Sequence, residues 1–402
     1  MRILNVTQSY APFYEFGGPP AKVEALAAGL AARGHQVTVL SVDWGYEERR
    51  RPDVNKPTDR RLSFGWTNEA NGVQSIYLPS WLRYRALTWS PAAKNYCRAH
   101  LSHFDIVHIF GLYDVLGPLV AAQCRKRKIP YVVEPIGMFV PIVRNVLLKR
   151  LYHAVWGSSM LAGAAAVIAT SEQEVQELAS GGISRPRVFL RRNGVQAPAA
   201  LPLRGAFRKK HGVPGDAWLV LFLGRLSSKK SPDLLLEAFA QLPPQIAGRQ
   251  MVLVFAGPDE SGMQARLQRL AAARQLEGRV FFSGAAFGEE KWNAYCDADV
   301  FVLPSQNENF GNTAAEAAIC GTPVVVTQHC GIAPLLAGTA GIVVAHETGE
   351  VARAVKEVLC NDALRCRLAQ GGKNAASLLG WHEPVSQMEN LYARLAGTSP
   401  AG

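Results

Sequence analysis

The 402-residue sequence lacks several patterns that define common protein classes. Its seven cysteines show no C-x-x-C spacing, which argues against a zinc site or a disulfide framework and favours a reducing compartment. The most apolar runs, 160–170 and 335–345, are shorter than the roughly 20 residues that a membrane-spanning helix needs. No charged leader with an apolar core precedes the first predicted strand. We therefore expect a cytoplasmic protein with no signal peptide, no spanning helix and no bound metal or other cofactor.

A dinucleotide-binding fingerprint and the common nucleic-acid motifs are also missing. No G-x-G-x-x-G opens either half of the chain, so a nicotinamide-dependent activity has no support. Helix-turn-helix, zinc-finger and RNA-binding signatures are absent as well, and we expect no nucleic-acid partner. The chain, which is 48% hydrophobic, is long enough for two domains, because single cores stop growing at roughly 250–300 residues.

Excess positive charge is confined to the first half of the chain. Residues 1–204 contain 25 Lys and Arg against 14 Asp and Glu, which accounts for the whole net charge of +11. The basic clusters lie at 49–51, 60–61 and 125–128. A basic half suggests an anionic partner such as a membrane surface, a lipid phosphate or an acidic glycan. Each single cluster also fits a solvated face that keeps the protein in solution.

Both halves alternate short apolar strands with helices, beginning with a predicted strand at 2–7, and this alternation is typical of parallel α/β sheets. A break rich in proline and alanine follows at 196–203. We predict two Rossmann-like, doubly wound domains at 1–200 and 201–380, and a closing helix, 381–402, that packs back on the first domain. Ligands of such sheets bind at the C-terminal ends of the strands.

A short loop in the second half carries the most functional information. An apolar strand at 300–303 leads through Glu308 into a glycine turn, Asn309-Phe310-Gly311-Asn312-Thr313, which opens a helix that contains Glu316. Free backbone N–H groups and the helix dipole attract an anion there, and the two carboxylates suit hydroxyl groups on either side. A sugar nucleotide has this form. The spacing Thr313-x-x-Glu316 also fits a capping box, in which the glutamate only reaches back to the helix start.

Spaced cations follow the first strand of the second half. After the apolar strand at 219–223, the sequence reads Gly224-Arg225-Leu226-Ser227-Ser228-Lys229-Lys230. Arginine can bind a pyrophosphate with its planar fork, and lysine adds a movable point charge. An ordinary surface loop with solvated charges is the alternative. The acidic pair further along the chain favours the diphosphate site.

Four motifs in a fixed order make the chain resemble a retaining glycosyltransferase of GT-B fold. They are the Phe-Gly-Gly at 16–18, the Arg-Arg-Asn-Gly-Val at 191–195, the loop at 224–230 and Glu308-x7-Glu316. The family that it resembles is glycosyltransferase family four, a large family that also contains sucrose synthases and bacterial mannosyltransferases. The resemblance spans nearly the whole chain and is most specific at 219–331. It implies two domains that face each other across a cleft, a nucleotide-sugar donor in the second, an acceptor in the first, and metal-independent transfer.

The resemblance also implies roles for single residues. Glu316 is expected to hold the ribose hydroxyls, and Glu308 to face the donor sugar near its C3 and C4 hydroxyls. Arg225 and Lys230 are expected to neutralise the departing diphosphate, which is electrostatic stabilisation of developing charge. The donor-binding positions that the resemblance implies are Gly17, Gly18, Asn309, Phe310, Gly311, Asn312 and Thr313. Glycine at 17 and 18 allows the first loop to approach the phosphates closely.

The family's candidate catalytic histidine falls in the segment Asp105-Ile-Val-His108, where the family often has Asp-x-x-His-x-His. His108 occupies the first histidine position, and Phe110 stands at the second. A histidine packed at a strand end is the alternative for His108. The chain departs from the family twice more, with Ile136 in place of the histidine of Pro-His-Gly and with a loop at 330–334 that lacks the usual glutamate. Glu134, next to the first departure, is a candidate substitute.

Residues 140–156 form a predicted basic amphipathic helix. Its apolar arc at helical spacing contains Val143, Leu147, Leu148, Leu151, Tyr152 and Val155, and its other side contains Lys149, Arg150 and His153. Such a helix can lie on an anionic membrane, or it can pack its apolar side on the domain core. Aromatic and basic residues at 81–89 add to the first interpretation, which implies a lipid-linked acceptor and a peripheral membrane position.

The sequence therefore predicts a glycosyltransferase that moves a hexose or related sugar from a nucleotide donor to a glycan or lipid-linked acceptor, in cell-surface polysaccharide or glycolipid biosynthesis. A nucleotide-sugar isomerase on the same scaffold is one alternative, and it would turn over the donor without an acceptor. A non-catalytic subunit that binds a sugar nucleotide is another. The joint presence of Glu308, Glu316, Arg225 and Lys230 argues against this last alternative.

Overall fold

The chain folds into two compact units, residues 1–194 with 381–402 and residues 195–380. The computed structural model describes residues 1–14, 18–45, 60–84, 87–140, 146–259 and 262–397. Each unit is built around a mostly parallel sheet with helices on both faces, which confirms the predicted α/β fold class with Rossmann-like domains.

Among the described residues, the first unit contains a nine-stranded sheet in the order β11-β10-β9-β8-β1-β2-β5-β4-β3 and a separate antiparallel pair, β6 and β7. The strands are β1 (Arg2–Thr7), β2 (Gln36–Val42), β3 (Arg60–Leu62), β4 (Gly65–Ala70), β5 (Val73–Leu78), β6 (Leu82–Tyr84), β7 (Leu87–Trp89), β8 (Ile106–Phe110), β9 (Tyr131–Glu134), β10 (Ala166–Ala169) and β11 (Val188–Leu190). All pairs from β11 to β5 are parallel, and the chain order reverses between β1 and β8. Ligands of doubly wound sheets bind at such a reversal.

The described part of the second unit contains a seven-stranded sheet, with β12 and β16 at the centre of its parallel strands. Its strands are β12 (Trp218–Leu223), β13 (Gln245–Ile246), β14 (Arg249–Ala256), β15 (Val280–Gly284), β16 (Val300–Leu303), β17 (Val324–Thr327) and β18 (Gly341–Val344). The parallel order is β15-β14-β12-β16-β17-β18. Every side chain of β12 and of β16 is buried, because helices cover both faces of the sheet. A parallel strand covered on both faces is continuously apolar rather than alternating.

The helices alternate with the strands in both units. They are α1 (Gly18–Ala32), α2 (Pro91–His100), α3 (Leu116–Arg127), α4 (Val146–Tyr152), α5 (Ser158–Gly163), α6 (Glu172–Ser180), α7 (Ala206–His211), α8 (Pro232–Ala240), α9 (Met263–Ala273), α10 (Glu289–Asp297), α11 (Asn312–Ile319), α12 (Ala333–Leu336), α13 (Thr348–Cys360), α14 (Asp362–Asn374) and α15 (His382–Ala396). A π-helical turn, His153–Gly157, joins α4 to α5. Within the described ranges, no helix has the length and apolar character needed to cross a membrane.

The closing helix α15 packs within the first unit. Val385 lies directly over Gly29 of α1, where an added Cβ would come within 2.6 Å of a Val385 methyl group. Glu389 accepts hydrogen bonds from Arg33 and His35, each at 2.7 Å. The close contact at Gly29 and the ion pair between Arg33 and Glu389 therefore hold the closing helix against α1.

Candidate functional site

Three glycines follow three adjacent strands at one edge of the second sheet. Gly224 follows β12, Gly257 follows β14, and Gly284 ends β15, all with positive φ. The N–H of Gly224 donates to Ala256, and that of Gly257 donates to Gly284. A Cβ on Gly257 would overlap the carbonyl oxygen of Gly224, so the two loops can touch only through glycine. The sequence analysis missed Gly257, although it has the same signal as Gly224, a glycine directly after a buried strand.

Lys230 lies beside the first of these glycines. It ends a short 3₁₀ turn, Ser228–Lys230, and its side chain passes over Gly224, since a Cβ there would lie 3.5–3.6 Å from the lysine Cδ, Cε and Nζ. The Nζ donates a hydrogen bond of 2.6 Å to Oε2 of Glu308. Both side chains are about one-fifth exposed, at 20% and 21%. The structure therefore brings together two residues that the sequence placed in separate motifs.

Glu308 is held in place by the loop that follows β17. Its N–H donates to His329, and its carbonyl accepts from Gly331, so the two segments form a parallel bridge. Ile332 donates to Phe310 at 2.7 Å in the same way. The loop at 330–334, which departs from the family pattern, thus supports the backbone on which Glu308 sits.

The glycine turn opens helix α11 as expected, but the capping-box interpretation is wrong. The N-cap residue is Gly311 with φ 107°, a glycine that has no side chain with which to cap the helix. Thr313 lies inside the helix, and within the described chain its buried Oγ1 has no hydrogen-bond partner. A capping box needs the hydroxyl at the N-cap and the acid three residues later. Glu316 is therefore free of a capping role.

Glu316 instead points at the neighbouring helix α10. Its two carboxylate oxygens accept hydrogen bonds from Lys291 and from the Tyr295 hydroxyl, each at 2.8 Å. Burial and the adjacent Glu316 charge raise the pKa of Tyr295 well above its usual value, so the phenol stays a donor. Lys291 and Tyr295 could not be recognised from sequence, because their partner Glu316 lies on another helix.

The remaining site residues that the sequence predicts lie in three segments of the chain. Arg225 is exposed directly after Gly224, and Asn309 and Asn312 are half-buried on either side of the turn. Phe310 is 2% exposed and packs in the core beneath the sheet edge, so only its backbone remains for a ligand. In the first unit, Gly18 begins α1, and Gly17 lies outside the described residues.

His108 lies in the interior of the first unit. It is on β8 with no exposed surface, and its ring stacks on Phe110 with centroids 3.7 Å apart. Its Nδ1 is hydrogen-bonded to the Tyr392 hydroxyl of α15 at 2.6 Å. Burial lowers the pKa of His108 to about 4, against the raising effect of Glu134. The geometry therefore supports the alternative of a packed, neutral histidine, and Phe110 at the family's second histidine position is its stacking partner.

A buried ion cluster surrounds this histidine. Glu134, at the end of β9, forms ion pairs with Lys22 of α1 and with Arg191, and its Oε2 lies 3.5 Å from His108 Nε2. All four side chains are at most 3% exposed. Burial alone would raise the pKa of Glu134, but Arg191 and Lys22 hold it well below its usual range. Glu134 is thus a structural anion beneath the sheet edge, and the described residues contain no group of acidic, His and Cys side chains able to hold a metal ion.

Each half of the chain matches a protein-family model. Residues 204–375 match the model for glycosyl transferases group 1, and residues 17–194 match that for the glycosyl transferase 4-like domain. Together these matches cover both units, including the 224–230 loop, Glu308 and Glu316.

Similar proteins point to the same family. A D-inositol 3-phosphate glycosyltransferase of Nocardioides is 33% identical over 314 residues, which cover 73% of this chain and 68% of that protein. The enzyme of the same name from Streptomyces bingchenggensis is 34% identical over 248 residues, 59% of this chain and 54% of that protein. The matched part of the chain therefore spans between about half and two thirds of the length of these relatives.

Solved structures agree in fold. HepE from Anabaena, crystallised with UDP and glucose, superposes with a TM-score of 0.72 at 19% identity, over 99% of this chain and 100% of that one. An identity this low supports the GT-B fold and no finer property. Taken with the family matches, it confirms the resemblance seen in the sequence: the chain belongs to the group 1 glycosyltransferases and adopts their GT-B fold.

Proposed function

We propose that the protein is a retaining glycosyltransferase that moves a hexose or related sugar from a nucleotide-sugar donor to a glycan or lipid-linked acceptor. The observation that carries this proposal is the cluster at the C-terminal edge of the second sheet. There, Lys230 contacts Glu308 beside the glycine at the end of β12, and Glu316 lies one turn into α11. One cation and two carboxylates thus flank the start of a helix, where the helix dipole attracts an anion.

The donor is proposed to occupy this edge. The three glycine turns bring the backbone of adjacent loops together at this edge, with open space beside Gly284. Lys230 and Arg225 supply the positive counter-charge of the diphosphate. Glu316 faces the ribose hydroxyls, and its contacts to Lys291 and Tyr295 fix the orientation of its carboxylate. Glu308 faces the hydroxyls of the sugar. Binding of the diphosphate would draw Lys230 from Glu308 towards the phosphate oxygens.

The proposed chemistry is a displacement with retention. The bond between the sugar C1 and the phosphate oxygen breaks, and an acceptor hydroxyl forms the new C1–O bond on the same face. The departing phosphate takes the hydroxyl proton, while Arg225 and Lys230 stabilise its growing negative charge. Because these side chains supply the counter-charge, we expect transfer without a divalent metal.

Two alternatives predict different behaviour of the same donor. An isomerase would convert the nucleotide sugar and keep the sugar–phosphate bond intact. A non-catalytic subunit would bind the donor and leave it unchanged. Neither alternative uses the excess of cations in residues 1–204, which suits an acceptor with phosphate or a membrane surface.

The test is release of nucleoside diphosphate from a panel of UDP, GDP, ADP and TDP sugars, with a membrane extract as the source of acceptor. We expect one nucleotide to be released, with the sugar in a product of unchanged anomeric configuration and with full activity in EDTA. The control is Glu308→Gln, which should lower release by about a hundredfold or more because it removes a charged contact to the reacting sugar. A rearranged nucleotide sugar without diphosphate would support the isomerase, and binding without turnover would support the non-catalytic subunit.

A further inference from the structure

An exposed apolar surface lies on the helical segment 146–157 of the first unit. Its members, which we call the leucine face, are Leu147 (80% exposed), Leu148 (58%), Leu151 (59%), Val155 (53%) and Trp156 (44%). Isolated exposed leucines are common, but five large apolar side chains on three turns of one helix are a contiguous patch. Such patches mark interaction surfaces in proteins that are otherwise well packed.

The leucine face is not the side by which the helix packs on its domain. Tyr152 is buried and packs against Tyr113, with ring centroids 5.2 Å apart, and Met160 and Leu161 continue the buried side in α5. The sequence-based arc grouped Tyr152 with the leucines, and the structure separates them. Val143, the remaining member of that arc, lies outside the described residues. The alternative of core packing therefore holds for Tyr152 alone, and the leucines stay uncovered.

The surroundings of the leucine face are cationic. No Asp or Glu occurs between Glu134 and Glu172, while this stretch contains Arg144, Lys149 and Arg150. Further cations meet the C-terminal end of the segment, where Arg125 donates to the carbonyl of Ser159 at 3.0 Å. An exposed apolar face on a chain segment that contains cations and no acidic residue is complementary to a bilayer surface, which is apolar inside and carries negative charge at its boundary.

A pair of exposed aromatic rings flanks the β6–β7 hairpin of the same unit. Trp81 and Trp89 are 75% and 47% exposed and contact each other edge-to-face at 6.3 Å. Trp89 also lines a small cavity with Val115 and Leu116, which follow Tyr113 in the chain. The hairpin and the helical segment 146–157 thus both border residues that follow β8. The hairpin does so at Val115 and Leu116, and the segment does so at Tyr113 through its packed side. Tryptophan is enriched where a protein meets the boundary between lipid and water.

The position of this surface connects it to the ligand edge of the first sheet. Tyr113, on which the segment packs through Tyr152 and His153, follows the C-terminal end of β8 by three residues. That edge is where the parallel sheet reverses its strand order and where ligands of such sheets bind. A molecule anchored in a membrane would therefore reach the ligand edge directly beside the leucine face.

We propose that the leucine face, with Trp81 and Trp89, inserts into the surface of an anionic lipid bilayer and brings the ligand edge of the first unit to a membrane-borne acceptor. The role of the acceptor rests on the proposed transferase function, whereas binding to the bilayer does not. The apolar side chains provide the depth of insertion. The exposed Arg150 and Arg125 provide the preference for anionic lipid, whereas Lys149 lies over the ring of Tyr113.

The test is flotation of the full chain with phosphatidylcholine vesicles and with vesicles that also contain phosphatidylglycerol. We expect the wild type to float with the anionic vesicles and only weakly with the neutral ones. The variant Leu147→Ser/Leu148→Ser/Leu151→Ser should lose at least about a hundredfold in partition coefficient, since each buried leucine contributes about tenfold. Leu203→Ser/Leu378→Ser is the matched control, because these leucines are 89% and 81% exposed elsewhere, and it should float like the wild type.

Three results would overturn the proposal. They are no flotation of the wild type with anionic vesicles, equal flotation of the triple variant, or a wild-type dimer that the triple substitution converts to monomer, which would assign the leucine face to a second copy of the chain. Thermal stabilisation by sugar nucleotides, measured on the same samples, keeps the two proposals apart. Flotation without any nucleotide binding would retain the membrane surface and remove the transferase function.

Discussion

Replacing Lys230 with alanine is expected to lower kcat by about 10²–10³-fold, the usual cost of removing one group that stabilises developing charge on a leaving oxygen. Lys230 is the cation that lies over Gly224 and contacts Glu308, so it is the side chain best placed to follow a departing diphosphate. The fold should survive, because a partly exposed ion pair contributes only about 0–1 kcal/mol to stability. The measurement is the rate of nucleoside diphosphate release at saturating donor.

Lys229 offers the matched control for this experiment. It precedes Lys230 in the same 3₁₀ turn and has the same charge, and its carbonyl accepts a hydrogen bond from Gln306 that alanine would keep. Lys229→Ala should therefore retain turnover close to that of the wild type. Wild-type turnover in Lys230→Ala would remove Lys230 from the mechanism.

The substitution Glu134→Gln is expected to destabilise the first unit by about 3–5 kcal/mol, because removing one partner of a buried ion pair leaves uncompensated charge in the interior. The change keeps the size of the side chain and removes the anion that faces Arg191 and Lys22. Hydrogen exchange of the β8 and β9 amides measures the free energy of opening of this unit alone. Separate readouts matter because a chain with two units need not unfold in one step.

Glu172→Gln is the matched control for the buried cluster. Glu172 is 53% exposed and lies 3.9 Å from Arg192, so its loss should change stability by less than about 1 kcal/mol. If Glu134→Gln lowered the free energy of unfolding no more than Glu172→Gln does, the buried ion pairs of Glu134 would not stabilise the first unit.

Local sequence patterns predicted the parts of the site that depend on neighbours in the chain. The strand at 300–303, the glycine turn after it and the glycine at the end of 219–223 are all found in the structure as the sequence indicates, because strand ends and helix starts are set by nearby residues. The predicted fold class and the family were likewise correct, since alternating strands and helices repeat along the whole chain.

The parts that sequence reasoning missed depend on contacts between distant residues. Tyr392 meets His108 across 284 positions, and only the folded chain shows that this histidine is enclosed. Thr313-x-x-Glu316 has the spacing of a capping box, but the N-cap is Gly311, two residues before Thr313. Glu316 is therefore free to contact α10. Helical periodicity also joined Tyr152 to the leucines, whereas the burial of Tyr152 depends on Tyr113 from another loop.

The most direct test of the account is thermal stabilisation of the wild type and of Glu316→Gln by UDP, GDP, ADP and TDP sugars. A ligand that binds only the folded protein adds about 2.7 kcal/mol of stability at one hundred times its Kd. Glu290→Gln is the control, because Glu290 is in the first turn of α10 and also pairs with a lysine at 2.6 Å, but that lysine is Lys210 of α7. We expect one nucleotide class to stabilise the wild type and the control, and to leave Glu316→Gln unchanged. Equal stabilisation of all three proteins, or of none, would contradict a donor site built on Glu316.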